Sequence, residues 1–432
     1  MMRERRELRA DVVIVGAGIV GCATAYHLAR RGASVHVIER GRVAGEQSSR
    51  AWGFLRQQGR HPAEVPLAAA ALELWPNLER ELGADLEFVR GGILVPAESD
   101  ADEARLAAAE RVAREHGLRS KMVTAAEIRT LVPGVALGWR SGLYTAEDGH
   151  AEPLKTTEAY AAAARRRGAT IEERTTAVGL EAQGGHALGV LTADTVYRGN
   201  SVVCAAGVGT ADLCRTIGVD LPISAVRASV AQTRVAAPIT RTAVWAPRVA
   251  FRPKKDGSYY VSNGYRGVDA EHDLTLDSLR HLREFIPTFL VNRDVVKLRV
   301  GSEFLADLTH RFSRRGRFTS LREPKVSRTL VRYHEQCFYE VFPHLAGLGI
   351  ARAWAGRIDA TPDLIPILGT PPGAPRNFIV AAGLNGHGFA LAPILGKLLA
   401  EQILDGKASL DLHRFRPSRF AEGDARPESN AL

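Results

Sequence analysis

Residues 10–21 constrain the fold of this chain more than any other segment. An apolar run at residues 12–15 predicts a short buried strand, and Gly16, Gly18 and Gly21 follow it in the pattern GxGxxG, ahead of residues with helical spacing. Gly16 permits a tight turn, Gly18 allows backbone N–H groups to approach a pyrophosphate, and Gly21 allows close packing of helix on strand. The segment therefore predicts an anion at a helix N-terminus.

A second strand and an acidic residue give this motif its context. Residues 34–39 predict a strand, and Glu39 at its end lies roughly twenty residues beyond the motif, where a carboxylate can bind a ribose hydroxyl. GxGxxG alone also occurs in plain strand–helix turns, but the context favours dinucleotide binding. An acid rather than a basic residue here favours an adenosine ribose without a 2′-phosphate.

Length and charge set broader limits. The chain has 432 residues, enough for two domains, and a net charge of +9. Because the arginines are scattered among many acids, we expect no nucleic-acid partner. The densest basic run, residues 310–318, predicts a solvated loop, with a phosphate-binding or partner-docking patch as the alternative.

The cysteines show no metal-ligand spacing. Cys22, Cys204, Cys214 and Cys337 form no CxxC pair, so we expect no metal, and reduced thiols fit a cytoplasmic protein best. The charged N-terminus precedes only a short apolar strand, which predicts neither a signal peptide nor a membrane span. Peripheral membrane contact stays open.

Further motifs occur downstream of the first. Ser48 and Ser49 precede a Gly53-x-x-Arg56 stretch, residues 354–369 read WAGxxDxTPDxxPxxG, and residues 382–389 read AGxxGHGF. With the GxGxxG segment, these motifs resemble the D-amino-acid oxidase superfamily of FAD enzymes. The resemblance is to the branch that contains sarcosine oxidase β subunits, dimethylglycine dehydrogenases and related amine dehydrogenases, and it covers nearly the whole chain.

This resemblance implies an α/β fold with two domains. The first is a Rossmann-like FAD-binding domain of the glutathione-reductase βαβ type, formed by residues 1–85, 148–220 and 345–432. The second is a discontinuous antiparallel-sheet substrate domain, formed by residues 86–147 and 221–344.

Local patterns predict individual elements of these domains. Helices are expected at residues 63–81, 98–116, 154–167, 325–342 and 391–404, with Pro393 in the first turn of the last one, and around residues 279–285. A hairpin is expected at residues 88–95, and strands at residues 170–180, 248–253, 258–262 and 295–300.

The resemblance also implies residues that contact a non-covalently bound FAD. They are Gly16, Ala17, Gly18, Ile19, Gly21, Glu39, Arg40, Ser48, Ser49, Val178, Ala206, Gly207, Gly356, Asp363, Gly383, Asn385, Gly386, His387, Gly388 and Phe389. For the turn at Ala206 and Gly207, a tight strand–helix junction is the alternative. Family members with a covalent flavin have a cysteine where this chain has Gly356.

The implied chemistry is oxidation of a CH–NH bond, with hydride transfer to flavin N5. Three side chains are candidates for a further role. His387 donates to flavin or substrate, or else stabilises a tight loop. Arg56 lies near the flavin or binds a carboxylate, or else forms a structural ion pair. Arg252 binds a carboxylate, or else is an exposed strand arginine.

Two departures from the family bear on the substrate. Monomeric sarcosine oxidases carry a lysine where this chain has Ala390, and D-amino-acid and glycine oxidases carry an arginine where it has Ile358. The lack of these two carboxylate anchors favours a larger imino acid, an opine or a hydroxyproline-like compound over sarcosine, glycine or a free D-amino acid.

Other functions and partners are left open by the sequence. An NAD-dependent dehydrogenase would also carry the N-terminal motif, and a flavoprotein scaffold, assembly factor or tRNA-modifying subunit would hold FAD without oxidising an amine. Oxygen, a quinone or an electron-transfer protein could accept the electrons. A heteromeric partner subunit is an expectation from the resemblance.

Overall fold

The computed structural model describes residues 5–266, 270–274, 276–293, 296–300 and 323–426. The strands are β1 (Arg6–Val15), β2 (Val35–Ile38), β3 (Phe54–Leu55), β4 (Ile93–Ala97), β5 (Ser120–Thr124), β6 (Ser141–Thr145), β7 (Gly149–His150), β8 (Thr170–Glu172), β9 (Gly179–Gln183), β10 (His186–Leu191), β11 (Thr195–Cys204), β12 (Ser224–Thr233), β13 (Ala243–Trp245), β14 (Val249–Pro253), β15 (Tyr259–Asn263), β16 (Ala270–Asp273), β17 (Val296–Arg299), β18 (Ile350–Ala360), β19 (Ile367–Gly369) and β20 (Phe378–Ala382). The helices are α1 (Ile19–Arg30), α2 (Val65–Leu82), α3 (Asp100–Glu115), α4 (Ala125–Leu131), α5 (Pro153–Arg166), α6 (Thr210–Arg215), α7 (Leu276–Arg280), α8 (Leu282–Asn292), α9 (Arg328–Val341) and α10 (Gly388–Leu404).

The first sheet is built around parallel strands, in the order β19-β20-β11-β1-β2-β8, with β10 beside β11 and β9 beside β10. Strands β20, β11, β1, β2 and β8 run parallel to one another, whereas β19 is antiparallel to β20. The C-terminal half of β1 is buried on both faces, as the continuous apolar run requires for a central parallel strand. The predicted Rossmann-like α/β architecture is confirmed.

The second sheet has the order β17-β16-β12-β15-β14-β13-β4-β6-β5, and β18 also pairs with β12. Its pairs are antiparallel, as predicted, except for β4 with β13 and β16 with β17, which are parallel. Strand β18 pairs with β12 from Ser224–Ala360 to Thr233–Ile350. Thus β18 belongs to the second sheet, whereas the predicted bounds place residues 345–432 in the cofactor domain.

The structure corrects two predicted strands. Residues 88–95 do not form a hairpin, because only the strand beginning at Ile93 is present there and Val89 forms an isolated bridge to His150. Residues 170–180 are not one strand. The chain leaves β8 after Glu172, passes Arg174 at a φ of 56° and re-enters a strand at Gly179. A positive φ breaks an extended strand.

The helices follow the predicted patterns, with two corrections. Around residues 279–285 there is no single helix, because α7 ends at Arg280 and α8 begins at Leu282. The other correction is at the C-terminal helix. Capping boxes start α3 at Ser99 and α4 at Thr124, because each side chain accepts a hydrogen bond from the third helical N–H. Helix α10 begins at Gly388 rather than at residue 391. Pro393 therefore lies beyond the first turn of the helix.

Helices α1, α5 and α10 pack together on the first sheet, with α2 against α10. Nearly all of α1 is buried, and Trp75 of α2 donates a hydrogen bond from Nε1 to the carbonyl of Ala390, at 3.0 Å. The N-termini of α1 and α10 are thereby held beside the same edge of the first sheet. The basic run at residues 310–318 lies outside the described residues.

Candidate active site

A cleft of about 480 Å³ opens where the parallel strands of the first sheet end. Gly16 follows β1, Glu39 follows β2, Ala205 follows β11 and Leu384 follows β20, and all of them line the cleft. The carboxyl edge of a parallel sheet is the usual ligand site in such folds. Residues of the second sheet, Val230 and Trp245 among them, form the other side of the cleft.

The first and last glycines of the GxGxxG turn are packed too tightly against backbone to carry a side chain. Gly16 has a φ of 105°, and a Cβ there would lie 2.4 Å from the carbonyl oxygen of Ala205. A Cβ on Gly21 would lie 2.0 Å from the carbonyl oxygen of Gly16. These contacts explain the glycines in the predicted terms, since one permits the turn and the other permits close helix packing.

Glu39 connects the second strand to this turn. Its two carboxylate oxygens accept hydrogen bonds from the backbone N–H groups of Ala17 at 2.9 Å and Gly41 at 2.7 Å. Burial raises the pKa of Glu39, and the two N–H donors oppose that shift. Arg40, the next residue, lines the cleft and forms an ion pair with Glu46.

Ser48 lies at the start of α1. Its hydroxyl oxygen accepts a hydrogen bond from the N–H of Ile19 at 2.8 Å, so it satisfies one of the free N–H groups of that helix. Both residues line the cleft, with Gly18. The neighbouring Ser49 does not line it, and its hydroxyl donates to the carbonyl of Glu46.

The C-terminal glycine loop reaches the same cleft, lined by Asn385, Gly386, His387, Gly388 and Phe389. Two side-chain hydrogen bonds hold the loop in place. Asp359 accepts from the N–H of Gly383 at 2.8 Å, and the Asn385 side chain accepts from the N–H of Thr361 at 2.9 Å. Asn385 has a φ of 51°, in the left-handed region that Asn tolerates.

His387 is anchored by a buried acid from another part of the chain. Its Nδ1 lies 2.9 Å from Oε1 and 3.0 Å from Oε2 of Glu64, and Oε1 also accepts a hydrogen bond from Nη1 of Arg60 at 2.9 Å. The Glu64 side chain is completely buried, whereas that of His387 is 22% exposed. Burial would raise the pKa of Glu64, but the positive groups beside it hold this pKa below its usual value. Burial lowers the pKa of His387 to about 4, and Arg60 acts in the same direction.

Arg56 lines the cleft with its charge only partly compensated. The side chain is buried, its guanidinium lies 4.4 Å from the ring centre of Trp245, and Nη1 has no hydrogen-bond partner. Burial lowers the pKa of Arg56 to about 9, and the neighbouring Arg60 adds to this effect. Buried polar groups normally have partners, so this guanidinium is suited to an anionic ligand.

Arg252 and Asp363 do not line the cleft. Arg252 is buried rather than exposed on its strand, and it donates to Glu152 at 2.8 Å and to the carbonyl of Trp52. Asp363 forms a buried ion pair with Arg419, whose Nε lies 2.7 Å from the carboxylate. Both side chains are thus bonded to protein partners, although Nη1 of Arg252 has no hydrogen-bond partner among the described residues.

Some of the other residues predicted to contact the cofactor line the cleft, and some do not. Gly356, Ala206 and Gly207 line the cleft, whereas Ala17, Gly21, Gly383 and Val178 do not. The N–H of Val178 donates to the carbonyl of Leu191, and its neighbours Thr176 and Ala177 reach the cleft instead.

Three residues of the site were missed by sequence reasoning: Glu64, Trp245 and Asp148. Glu64 falls within the helix predicted at residues 63–81, and its spacing of four residues from Arg60 was a usable signal for an ion pair. Asp148 is buried and accepts two hydrogen bonds from Gln57. No local pattern marks Trp245, which only tertiary packing brings to the site.

The residues present fit a dinucleotide cofactor. Glycines leave backbone exposed on two loops, one from each end of the chain, and a helix N-terminus adjoins each loop. Gly356 offers no side chain for covalent attachment. Within the described ranges, no group of His, Cys, Asp and Glu side chains could hold a metal ion. No helix of those ranges is long and apolar enough to cross a membrane.

Known proteins resemble this chain over most of its length. It is 28% identical to the 4-methylaminobutanoate oxidase (formaldehyde-forming) of Paenarthrobacter nicotinovorans, and the match covers 95% of this chain but only 45% of that protein. It is 27% identical to the glycine oxidase of Bacillus licheniformis, and that match covers 95% of this chain and 98% of the relative. The chain thus spans less than half the length of the first relative. The fold matches the L-amino acid deaminase of Proteus myxofaciens, solved in complex with anthranilate, with a TM-score of 0.89, 24% identity and coverage of 97% and 96%.

A family profile gives the wider assignment. The profile described as "DAO: FAD dependent oxidoreductase" matches residues 11–402, a range that includes both glycine loops and both sheets. The chain therefore belongs to the DAO family of FAD-dependent oxidoreductases.

Proposed function

We propose that this chain oxidises the CH–NH bond of an amino acid or an N-substituted amino acid. The observation that carries the proposal is a single cleft lined both by the two glycine loops and by the buried guanidinium of Arg56. Family membership gives FAD as the cofactor, as the sequence predicted, in preference to NAD. FAD bound here would accept a hydride from the carbon that carries the substrate nitrogen.

The electron balance of this reaction is simple. A neutral amine loses hydride, with its two electrons, and the nitrogen lone pair forms the new C=N bond of an iminium ion. Water then hydrolyses the iminium to a carbonyl compound and an amine. No acid–base pair is required for the hydride step, so the contribution of the protein is to bind and orient the C–H bond.

Arg56 supports an acidic substrate. A buried cation without a full set of partners is costly, and a carboxylate would supply both charge and hydrogen-bond acceptors. The aromatic face of Trp245 holds the guanidinium from one side, at 4.4 Å. Relatives named as oxidases of 4-methylaminobutanoate and glycine act on amines that also carry a carboxylate, which agrees with this role.

The test is anaerobic reduction of the bound flavin by a panel of amines: sarcosine, dimethylglycine, proline and hydroxyproline isomers, D- and L-amino acids, and opines. We expect loss of visible flavin absorbance with one class of these. Reoxidation in air would then identify an oxidase, and its absence would indicate a quinone or an electron-transfer protein as acceptor.

A matched variant tests the part played by Arg56. We measure kred/Kd, the rate constant of flavin reduction divided by the dissociation constant of the substrate. Arg56→Leu should lower this ratio by about 10- to 100-fold for the active amino acid. For the amine that lacks the carboxylate, the ratio should change little. Arg140→Leu, which removes a surface ion pair with Asp100, serves as control. Equal losses for the two substrates would contradict carboxylate binding by Arg56.

If no amine reduces the flavin, the proposed activity fails. The alternatives would then be a partner subunit required for catalysis, or a scaffold, assembly or tRNA-modifying protein that holds FAD. Co-purification of a protein or an RNA distinguishes these alternatives.

A further inference from the structure

Glu64 controls which nitrogen of His387 carries the proton. The carboxylate lies within 3.0 Å of Nδ1 through both oxygens, and it is completely buried. An ionised carboxylate accepts hydrogen bonds and cannot donate one, so Nδ1 must carry hydrogen. Arg60 donates a hydrogen bond to Oε1 of Glu64 at 2.9 Å, and this cation favours the ionised carboxylate.

The other ring nitrogen of His387 is therefore an acceptor. Nε2 makes no hydrogen bond to any residue that the structure describes, and the side chain is partly open to the cleft. Burial is the largest influence that lowers the pKa of the His387 ring; Arg60 and Arg56 act in the same direction, and the Glu64 carboxylate opposes them. Together they disfavour a second proton on the imidazole, so the Nε2 lone pair stays free.

We infer that His387, held by Glu64 as its Nδ1–H tautomer, accepts a hydrogen bond at Nε2 from an N–H of the substrate. His387 then contacts the substrate, and Glu64 is a positioning residue. The inference rests on the proposed function and narrows its substrate class.

The substrate must satisfy two requirements at one nitrogen. Hydride loss needs the nitrogen lone pair, and the bond to His387 needs an N–H. A neutral primary or secondary amine has both. A neutral tertiary amine has no N–H, and a protonated one has no lone pair. The structure therefore favours primary and secondary amines over tertiary amines such as dimethylglycine.

The kinetic test compares an amine that reduces the flavin with its N-methylated tertiary counterpart. In the wild-type holoenzyme we expect kred/Kd to be at least 10-fold higher for the amine that has an N–H. His387→Leu should remove most of this preference, because kred/Kd should fall much more for the amine that has an N–H than for its tertiary counterpart. His387→Gln retains an acceptor oxygen and should restore part of the preference. His116→Gln, at an exposed histidine, is the control.

Glu64 is tested by spectroscopy as well as by kinetics. In ¹⁵N-histidine NMR spectra of the wild-type holoenzyme, the His387 signals are identified as those that are absent from the spectrum of His387→Leu. At pH 7 these signals should show a protonated Nδ1 and an unprotonated Nε2. Glu64→Gln should introduce the other tautomer and reduce the preference for N–H amines. This measurement needs no turnover, so it decides the assignment even if no amine reduces the flavin.

Three results would overturn the inference. A wild-type His387 protonated at Nε2 would do so whatever the amines do. Equal kred/Kd values for the secondary and tertiary amines would contradict a hydrogen bond from the substrate N–H to Nε2 of His387. A His387→Leu variant that changes the flavin spectrum or potential while keeping the amine preference would place the Nε2 contact on the flavin instead.

Discussion

The buried carboxyl of Asp148 makes stability depend on pH. The residue is completely buried beside Arg56, one of its oxygens has no partner, and burial raises its pKa to about 7. Because the pKa is higher in the folded than in the unfolded chain, Asp148 costs no stability below about pH 4 and lowers stability progressively as the pH rises towards 7. The full effect is roughly 4 kcal/mol as an upper bound.

Asp148→Asn should therefore gain stability relative to wild type between pH 4.5 and pH 8. The quantity to measure is the difference in the free energy of unfolding between variant and wild type at each pH, from urea denaturation. Glu115→Gln, at an exposed carboxylate, should show a constant difference. A constant difference for Asp148→Asn would show that this carboxyl does not titrate between the two pH values.

Asp363 forms a buried ion pair with Arg419 and does not line the cleft. The carboxylate and the guanidinium of Arg419 are both fully buried and bonded through two oxygens. Removing one partner leaves a buried charge uncompensated, so Asp363→Ala should lower the free energy of unfolding by about 3–5 kcal/mol. The flavin spectrum of the remaining folded protein should be unchanged.

The double variant Asp363→Ala/Arg419→Met separates these effects. It removes both charges and should recover part of the stability lost in the single variant. A flavin spectrum altered in both variants would instead support the predicted contact between Asp363 and the cofactor.

At the scale of elements, close packing of α1 and α10 holds the two glycine loops beside each other. A Cβ on Gly396 of α10 would lie 2.6 Å from the carbonyl carbon of Ala23 in α1, so no side chain fits between the helices. Gly396→Ala should cost about 1–3 kcal/mol through overpacking and should weaken FAD binding as the helices separate. Thermal unfolding and flavin retention measure the two effects.

Gly138→Ala is the matched control. A Cβ on this exposed glycine would meet no atom within 4 Å, and its φ is not positive, so the same substitution should be neutral or slightly stabilising there. Equal effects at positions 138 and 396 would argue against the packing explanation.

At the scale of the whole molecule, the cleft has one wall from each sheet, so FAD should bind the folded chain and not the unfolded one. FAD at 100 times its Kd should stabilise the apoprotein by about 2.7 kcal/mol. FMN, which lacks the adenosine portion, should raise the Tm much less at the same concentration, because Glu39 and the first glycine turn would have no ligand. Equal shifts with FMN and FAD would contradict an adenosine site at this turn.

The sequence alone determined the elements whose causes are local. The apolar run of β1, the glycines of the first turn and the capping boxes of α3 and α4 each encode their structure within a few residues, and the prediction of FAD rested on such segments. Tertiary structure decided the rest. Pairing with β12 placed β18 in the second sheet, and burial made ion pairs of Asp363 and Arg252. The contact of Glu64 with His387 joins residues 323 positions apart, a separation over which no sequence periodicity operates.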